Sequence, residues 1–165
     1  LYKGKNNFVA HECILDFRDL KSKTGLSVND LAKRLIDYSF HAPTISWPVP
    51  ETIMIEPTES ESLVELDRFC EAMLLIGEEI SEIEKNSELK NNNVISNAPH
   101  TLKELIADNW HYPYSKEKAS FPYKTPTSIK FWSSVSRINN AYGDRNLICS
   151  CNVNQGETFE EKKCA

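Results

Sequence analysis

Residues 40–46 hold the densest group of side chains in this sequence that could take part in chemistry. His41, Thr44 and Ser46 place an imidazole and two hydroxyls on one short loop, and neighbouring prolines stiffen its backbone. A stiff loop of this kind is able to hold polar side chains at the mouth of a cleft. It is equally suited to a packed role, in which the hydroxyls hydrogen-bond the adjacent backbone. Composition alone leaves both interpretations open.

A second group of reactive side chains lies near the carboxyl end. Cys149 and Cys151 form a C-x-C pair, which could bond to a third cysteine as a redox switch or remain as two ordinary buried thiols. Just before them, Gly143 is predicted to supply a left-handed turn, and Asp144 and Arg145 to form a local ion pair. We favour this structural role for Arg145 over substrate binding.

Catalytic signatures with a fixed spacing are missing from the sequence. It contains no glycine-rich phosphate loop, no nucleophile elbow and no H-E-x-x-H motif, and its four histidines are scattered. Its five cysteines show neither C-x-x-C spacing nor a histidine at zinc-ligand spacing. The sequence therefore predicts no metal site and no disulfide framework.

Composition and charge argue against two broad classes of protein. The 165 residues include 19 Lys and Arg against 24 Asp and Glu, a net charge of −5, and 40% are hydrophobic. This is enough for one domain with a core, and the acidic balance disfavours a nucleic-acid partner. The longest apolar run, residues 72–76, is far shorter than the ~20 residues that cross a bilayer, so no membrane segment is predicted. Because residue 1 is leucine, we expect the chain to derive from a longer polypeptide.

The elements that must position these residues form an α+β pattern in the first half of the chain. Apolar spacing and turn residues predict a strand over 8–18, a turn over 21–25, a helix over 28–38, an extended proline-rich loop over 40–50, a strand over 52–57 and a helix from 58 to about 85. This β-α-β-α order predicts a small sheet covered by helices.

Two predicted capping boxes define where these helices begin. Ser27 with Asp30 opens the first helix, and Thr58 with Glu61 opens the second. The charged residues of the first helix are expected on its outer face: Lys33, Arg34 and Asp37. The apolar stripe of the second is expected in the core: Leu63, Leu66, Phe69, Cys70, Met73, Ile76, Ile80 and Ile83.

The second half of the chain is predicted to be irregular. A polar, asparagine-rich connector occupies residues 86–97, and Thr101 caps a short helix over 102–108. Residues 109–151 are rich in aromatic side chains without strong periodicity, so we expect them to lie on another surface as a wrap. We therefore divide the chain into a small α+β domain over 1–90, an irregular aromatic-rich wrap over 91–151, and a polar tail over 152–165.

Residues 37–70, with the unusual strings HAPTISWP and IEPTESE, resemble the C-terminal domain of the glycine cleavage system P-protein family, the pyridoxal-phosphate-dependent glycine decarboxylases. FVAHECILDFR, the asparagine run before APH, and YGDRNLICSC extend the resemblance in the same order. It covers roughly residues 1–151. The resemblance implies the small C-terminal domain of a fold-type I pyridoxal-phosphate enzyme, with the large domain absent.

The same resemblance implies an activity for the full protein. That family decarboxylates glycine, releases CO2 and passes the aminomethyl group to the lipoyl group (lipoamide) of the H-protein. The cofactor lysine lies upstream of the matched region, and no lysine here sits in a matching context. This chain alone is therefore expected to have no catalytic or cofactor-binding residue, and to close the active-site cleft with His41, Thr44 and Ser46 at its mouth.

Implied partners are glycine, the lipoylated H-protein, other glycine cleavage proteins and a second subunit in a homodimer. The basic tract over 111–145 is expected against its own large domain, the H-protein, or both. The implied location is the mitochondrial matrix for a eukaryotic source and the cytoplasm for a bacterial one. Two alternatives remain open: a non-catalytic ferredoxin-like module for ligand binding or subunit interaction, indicated by the order of strands and helices, and a paralogue that has lost catalysis.

Four positions depart from the family pattern. Ser39 and Glu51 stand where glycine is usual, Gly77 where arginine is usual, and Asp19 where proline is usual. The two lost glycines matter only where the backbone requires a positive φ. Gly77 is expected to cost about 1 kcal/mol relative to alanine in an exposed helix interior.

Overall fold

The computed structural model describes residues 1–123 and 130–148. They form one three-stranded sheet and six α-helices in the order β1 (Cys13–Asp16), α1 (Leu20–Thr24), α2 (Val28–Asp37), β2 (Thr44–Ile45), β3 (Thr52–Ile55), α3 (Leu63–Lys85), α4 (Leu102–Ile106), α5 (Lys116–Ser120) and α6 (Asn140–Arg145). None of these helices is both long and apolar enough to span a membrane. The predicted α+β class, a small sheet with helices, is confirmed.

β3 lies in the centre of the sheet and pairs antiparallel with β1 and β2. Leu15 on β1 and Ile45 on β2 both oppose Ile53, whose side chain is fully buried. Because α1 and α2 connect β1 to β2 while β3 lies between those strands, the connectivity is a split β-α-β arrangement. The predicted strand, helix, strand and helix occur in the predicted order, but β1 starts later than expected, and the structure adds α1 in the predicted turn and β2 in the predicted loop.

α2 begins at the capping box predicted from Ser27 and Asp30. The backbone N and the Oγ of Ser27 each lie 2.7 Å from Asp30 Oδ2. Leu35 is fully buried on the face that the helical spacing predicts. The prediction that Arg34 and Asp37 point outward is wrong, because both side chains are buried under residues 98–120. α2 is therefore covered on two sides, by the core around Leu35 and by residues 98–120.

α3 begins later than the sequence predicts. Its N-cap is Ser62, whose Oγ accepts a hydrogen bond from Glu65 N at 3.2 Å. The predicted box of Thr58 and Glu61 is wrong, since the Thr58 hydroxyl instead bonds that of Ser60. The predicted end of α3 near residue 85 is confirmed.

The apolar stripe of α3 is buried along only part of its length. Ile76 and Ile83 are buried, as predicted, whereas Leu66 and Cys70 remain exposed. Leu63 is also exposed. The stripe therefore continues past the core at its amino-terminal end and leaves apolar surface open beside the sheet.

Gly25 and Gly143 lie in backbone settings different from those that the sequence predicts. The predicted turn over 21–25 is the short helix α1, and Gly25 ends it with φ +82°. Gly143 lies inside α6, and positive φ is absent there. Within the described residues, Asp144 and Arg145 form no ion pair with each other. The predicted left-handed turn and ion pair at this point are therefore wrong.

The asparagine-rich segment over 86–97 contributes side chains to the hydrophobic core. The Asn93 side chain accepts hydrogen bonds from Ile95 N and Ser96 N at 3.0 and 2.8 Å and donates to Leu89 O at 2.8 Å. This turn places Val94 and Ile95 in the same buried core as the middle of α3. The interpretation as a polar connector is therefore wrong, while the division of the chain at residue 90 stays a prediction.

The aromatic segment that follows packs partly on itself. Thr101 caps α4 through a box with Glu104, which confirms that prediction, although α4 ends at Ile106. Ring centroids lie 4.9 Å apart for Trp110 and Tyr112 and 5.3 Å apart for Tyr112 and Tyr114. The expectation that the segment cannot bury itself is thus wrong around residues 110–120. Further on, the expectation that the segment lies on another surface stays a prediction. Exposed apolar side chains there are compatible with it: Phe131, Val135, Ile138, Tyr142, Leu147 and Ile148.

Both positions at which glycine is usual have a positive φ. Ser39 has φ 65° and Glu51 has φ 56°, a conformation that costs a non-glycine residue about 1 kcal/mol. Each side chain supplies a compensating hydrogen bond. Ser39 Oγ accepts from Phe131 N at 3.0 Å, and Glu51 Oε2 accepts from Val28 N, in the first turn of α2, at 3.1 Å.

We expect the Glu51→Gly variant to have a larger free energy of unfolding than the Glu51→Ala variant. Glu51→Ala keeps the left-handed strain and loses the bond to α2, whereas Glu51→Gly loses the bond but relieves the strain, a difference of about 1 kcal/mol in glycine's favour. Lys33 inside α2 is the matched control, because there alanine is expected to exceed glycine by about 1 kcal/mol. Urea unfolding of the four variants measures both differences. The same order of glycine and alanine at both positions would contradict the prediction.

Candidate functional site

An open groove of about 1050 Å³ lies between the sheet and α3. Cys13 and Leu15 line it from β1, and Leu66, Phe69 and Met73 line it from α3. Its lining is therefore mostly apolar, and it is accessible from outside the domain. The groove is open because the core does not cover the amino-terminal part of the apolar stripe on α3.

The loop over 40–46 brings two of the three predicted site residues to this groove. His41 and Thr44 are exposed and line it. Ser46 is absent from its lining and instead accepts a hydrogen bond from Glu51 N through its Oγ at 3.2 Å. The hydroxyl of Ser46 thus fixes the turn before β3, which is the packed-loop role that composition also allows.

The remaining predicted site residues lie apart from the groove. Arg145 is exposed in α6, and neither Arg145 nor any other part of α6 lines the groove. Cys149 and Cys151 lie outside the described residues. Two cysteines, Cys13 and Cys70, lie in the described ranges. Both are free thiols, and they line the groove from β1 and from α3 respectively.

Beneath α2 lies a buried charge network that is centred on Arg34. Its guanidinium donates to Glu79 through Nε–Oε2 at 3.0 Å and Nη2–Oε1 at 2.6 Å. Nη1 donates to Asp37 Oδ2 at 3.0 Å. The same group also donates to the backbone carbonyls of Lys118 and Ala119 at 2.8 and 2.7 Å. Arg34 therefore joins α2, α3 and α5 through one fully buried side chain.

His100 extends the network from Asp37 to an aromatic side chain. Its backbone N and its Nδ1 each lie 2.8 Å from an oxygen of the Asp37 carboxylate. Its Nε2 lies 2.9 Å from the Tyr114 hydroxyl. A neutral imidazole that donates from Nδ1 and accepts at Nε2 satisfies both contacts. The ring thus links the carboxylate to the phenol as a positioning element.

The network raises the pKa values of Arg34, Tyr38 and Tyr114. Burial lowers the pKa of Arg34, but the carboxylates of Glu79 and Asp37 outweigh burial and hold that pKa above its usual value. Burial raises the pKa of Tyr38, and the neighbouring Glu79 raises it further. Burial likewise raises the pKa of Tyr114. At neutral pH the site therefore holds a charged guanidinium and neutral phenols.

Lys130 lies at the edge of the network and is held at an energetic cost. Its Nζ donates to the backbone carbonyl of Asp37. Burial lowers its pKa to about 8, and Arg34 adds to that effect while Asp37 opposes it. Below pH 8 the ammonium is charged in both folded and unfolded chains, so its burial destabilises the fold. Between pH 8 and the unfolded value near 10.5, only the unfolded chain keeps the proton, so stability from this group rises with pH.

We expect Lys130→Met to be more stable than the parent chain at about pH 7, by about 1–2 kcal/mol after allowance for partial exposure. The difference should shrink as the pH rises from 8 towards 10.5, because the parent lysine then becomes neutral in the folded state. Urea unfolding at several pH values measures this trend. Lys103→Met, at an exposed position of α4, serves as the control. A difference that stays constant with pH would refute the assignment.

The structure also brings together three potential metal ligands that the spacing of the sequence does not reveal. One ligand atom each from His11, Glu12 and Glu56 lies within 4.8 Å of the others. His11 and Glu56 are exposed. Exposed carboxylates commonly gather without a metal, so we assign no metal site to this group.

The described residues do not fit a pyridoxal phosphate site. That cofactor needs a lysine amine that opens into a cavity. Two described lysines line a cavity, but Lys23 is exposed and the Lys118 amine pairs with Glu82. The buried Lys130 amine bonds a backbone carbonyl and lines none of the described cavities. No chemical step through the cofactor is therefore assigned to this part of the chain.

Sequence reasoning missed the charge network, although α2 carries one signal of it. Arg34 lies three residues after Leu31 and four before Tyr38, so it belongs to the apolar face that those residues define. An arginine on such a face requires buried carboxylate partners. His100 had no comparable signal, because its partner Asp37 lies 63 positions away.

A family model described as "Glycine dehydrogenase, C-terminal domain" matches residues 1–100. The chain is 61% identical over 151 residues to a glycine dehydrogenase (decarboxylating) of Prochlorococcus marinus strain NATL1A, covering 92% of this chain and 16% of that protein. It is 57% identical over 153 residues to the protein of that name from Thermosynechococcus vestitus, covering 93% and 16%.

A similar match reaches a eukaryote. The chain is 56% identical over 151 residues to the glycine dehydrogenase (decarboxylating), mitochondrial, of Dictyostelium discoideum, covering 92% of this chain and 15% of that protein. The chain thus spans about 16% of the length of the curated relatives it matches.

Proposed function

The chain belongs to the glycine dehydrogenase C-terminal domain family, and from that premise we propose that it acts as part of a glycine dehydrogenase (decarboxylating). The full enzyme would decarboxylate glycine with pyridoxal phosphate, release CO2 and transfer the aminomethyl group to the lipoyl group of the H-protein. The observation that carries this proposal is 61% identity over 92% of the chain to a protein of that name.

In this proposal the cofactor is held by polypeptide outside the described residues, and the chain itself supplies shape. The split β-α-β sheet and α2 hold the loop over 40–46, and that loop presents His41 and Thr44 to the groove. A domain that closes over the reaction keeps bulk water from a reactive intermediate while a long lipoyl arm reaches it. His41 and Thr44 would supply polar contacts at the mouth of the cleft, and Ser46 would hold the turn.

The proposal extends to the arrangement and surroundings of the protein. Residues 91–151 would pack on the large domain as a wrap, and the subunits would form a homodimer. Glycine, the lipoylated H-protein and other glycine cleavage proteins are the proposed partners. The proposed location is the mitochondrial matrix for a eukaryotic source and the cytoplasm for a bacterial one. One relative with a mitochondrial name and others from bacteria are compatible with either.

The test is made in a full-length glycine dehydrogenase that carries this sequence. His41→Ala and Thr44→Val are each expected to lower kcat/KM for glycine decarboxylation by about tenfold or more, because misplaced contacts at the mouth cost positioning of the substrate. Exchange of labelled bicarbonate into glycine, with H-protein present, measures the rate. Lys21→Ala, at an exposed position of α1 away from the groove, is the control.

Two results would count against parts of this proposal. Unchanged exchange in both groove variants would remove His41 and Thr44 from the active-site mouth. Absence of any glycine decarboxylation by the parent protein, with cofactor and H-protein supplied, would remove the activity itself and favour the paralogue without catalysis.

A further inference from the structure

We propose that the groove between the sheet and α3 is a docking site for a cationic amphipathic segment of a partner protein. Apolar side chains of that segment would enter the groove, and its lysines or arginines would meet carboxylates at the rim. The proposal rests on the shape and charge of the described residues. Because His41 and Thr44 line the same groove, the docked segment would lie at the mouth proposed above, and the test measures binding without catalysis so that either proposal can fail alone.

The first observation is apolar surface that the chain leaves uncovered. Leu74 and Leu66, on the groove side of α3, are 71% and 36% exposed, whereas Ile76 on the same lining is 1% exposed. The groove therefore runs from the buried core outward across open apolar side chains. A contiguous surface of this kind indicates an interaction site, in contrast to single exposed apolar residues.

The second observation is the sign of the charge around the groove. Its described lining includes the carboxylates of Glu56, Glu61 and Glu65 and contains no lysine or arginine. Arg68 already pairs with Glu65 at 2.8 Å. Glu56 and Glu61 are exposed and form no ion pair with any described residue. A partner with basic residues beside its apolar face would neutralise them.

The form of the groove favours a helical segment. One wall is a helix of 23 residues, which at 1.5 Å per residue is long enough for several turns of a second helix to lie beside it. Helix-in-groove recognition uses apolar anchors at i, i+3, i+4 and i+7 with polar residues on the outer face. Such a segment matches the apolar walls and the acidic rim together.

A second copy of this chain fits the groove less well. A symmetric contact between two grooves would bring two acidic linings together, with Glu56, Glu61 and Glu65 of each copy opposite those of the other. Like charges placed opposite each other oppose association. We therefore assign the groove to a basic partner.

Gly77 makes the proposal testable without damage to the fold. It lies in the groove lining, and a Cβ built there meets nothing within 4 Å. Gly77→Trp should therefore fill the groove while the core stays intact. Gly143 in α6 is equally open and lies away from the groove, so Gly143→Trp is the matched control. Circular dichroism verifies that both variants are folded.

The probe is a dye-labelled peptide of about 18 residues with leucine at helical spacing and lysine elsewhere, compared with the same pattern in leucine and glutamate. Fluorescence anisotropy with the 165-residue chain measures binding. We expect the lysine peptide to bind at least about tenfold more tightly than the glutamate peptide, and Gly77→Trp to weaken it at least about tenfold, with no change for Gly143→Trp. The double variant Glu56→Gln, Glu61→Gln should weaken binding and reduce its dependence on salt.

Site-resolved alkylation provides a second readout. A bound peptide should protect both Cys13 and Cys70, since each lines the groove. Equal binding of the two peptides, or binding that Gly77→Trp leaves unchanged, would overturn the proposal. So would a homodimer that Gly77→Trp dissociates in sedimentation experiments, because the groove would then be an interface between copies.

Discussion

Replacement of Arg34 by methionine is expected to destabilise the fold by about 3–5 kcal/mol. The side chain is fully buried and makes five hydrogen bonds, to Glu79, Asp37 and two backbone carbonyls. Without the guanidinium, two buried carboxylates face each other with no cation between them. Urea unfolding followed by tryptophan fluorescence measures the loss in the free energy of unfolding. A loss of this size is a large part of the stability of a typical domain.

Two control variants show whether the loss of stability depends on the burial of the arginine and on the geometry of its hydrogen bonds, or on its charge alone. Arg18→Met removes an exposed arginine paired with Asp16 and is expected to change stability little, because surface ion pairs contribute little. Arg34→Lys keeps the charge but cannot donate in a two-pronged geometry to Glu79, so most of the loss should remain. If Arg34→Lys matched the parent chain, charge alone would suffice and the geometric argument would be wrong.

Replacement of His100 by phenylalanine is expected to cost about 2–3 kcal/mol. The ring volume is nearly kept, so little of the loss comes from a cavity. The loss arises because Asp37 Oδ2 and the Tyr114 hydroxyl lose their buried partner, and an unsatisfied buried polar group costs about 1–3 kcal/mol. Thermal and urea unfolding of the 165-residue chain measure the effect.

Two partial replacements identify which of the two contacts of His100 matters more. Asparagine places an amide near the position of Nδ1 and should keep the bond to Asp37, whereas glutamine reaches towards the position of Nε2 and Tyr114. We expect His100→Asn to be the more stable of the two, because the bond to a charged carboxylate is stronger than one to a phenol. The reverse order would show that Tyr114 is the dominant partner.

The local part of the fold could be predicted from the sequence because its causes are local. Ser27 and Asp30 are three residues apart and cap α2 as predicted, and Thr101 caps α4 in the same way. Strand β3 was also predictable from a short β-branched run. The error at Thr58 shows the limit of this reasoning, because α3 begins after Ser62, whose Oγ accepts a hydrogen bond from Glu65 N.

The remainder depends on contacts that no local pattern encodes. A charged face of α2 looks exposed until residues 98–120 cover it, and only then does Arg34 require Glu79 from α3. At the candidate site, the loop composition identified His41 and Thr44, yet the groove that they line is formed by two elements distant in sequence. Ser46 was grouped with them by proximity, although the backbone turns its hydroxyl to Glu51.

The hydrogen bonds from Arg34 to Lys118 and Ala119 can form only after residues 118 and 119 have been synthesised. These partners lie 84 and 85 positions after Arg34, so a nascent chain must wait for them before its central cation is fully coordinated. Until then, ribosome-bound intermediates carry an incompletely coordinated charge inside a forming core and an uncovered face of α2. We expect chaperones to engage this interval, and a stalled chain that ends before residue 118 to remain sensitive to protease. We therefore expect the smallest unit that folds from this sequence to extend at least to Ala119.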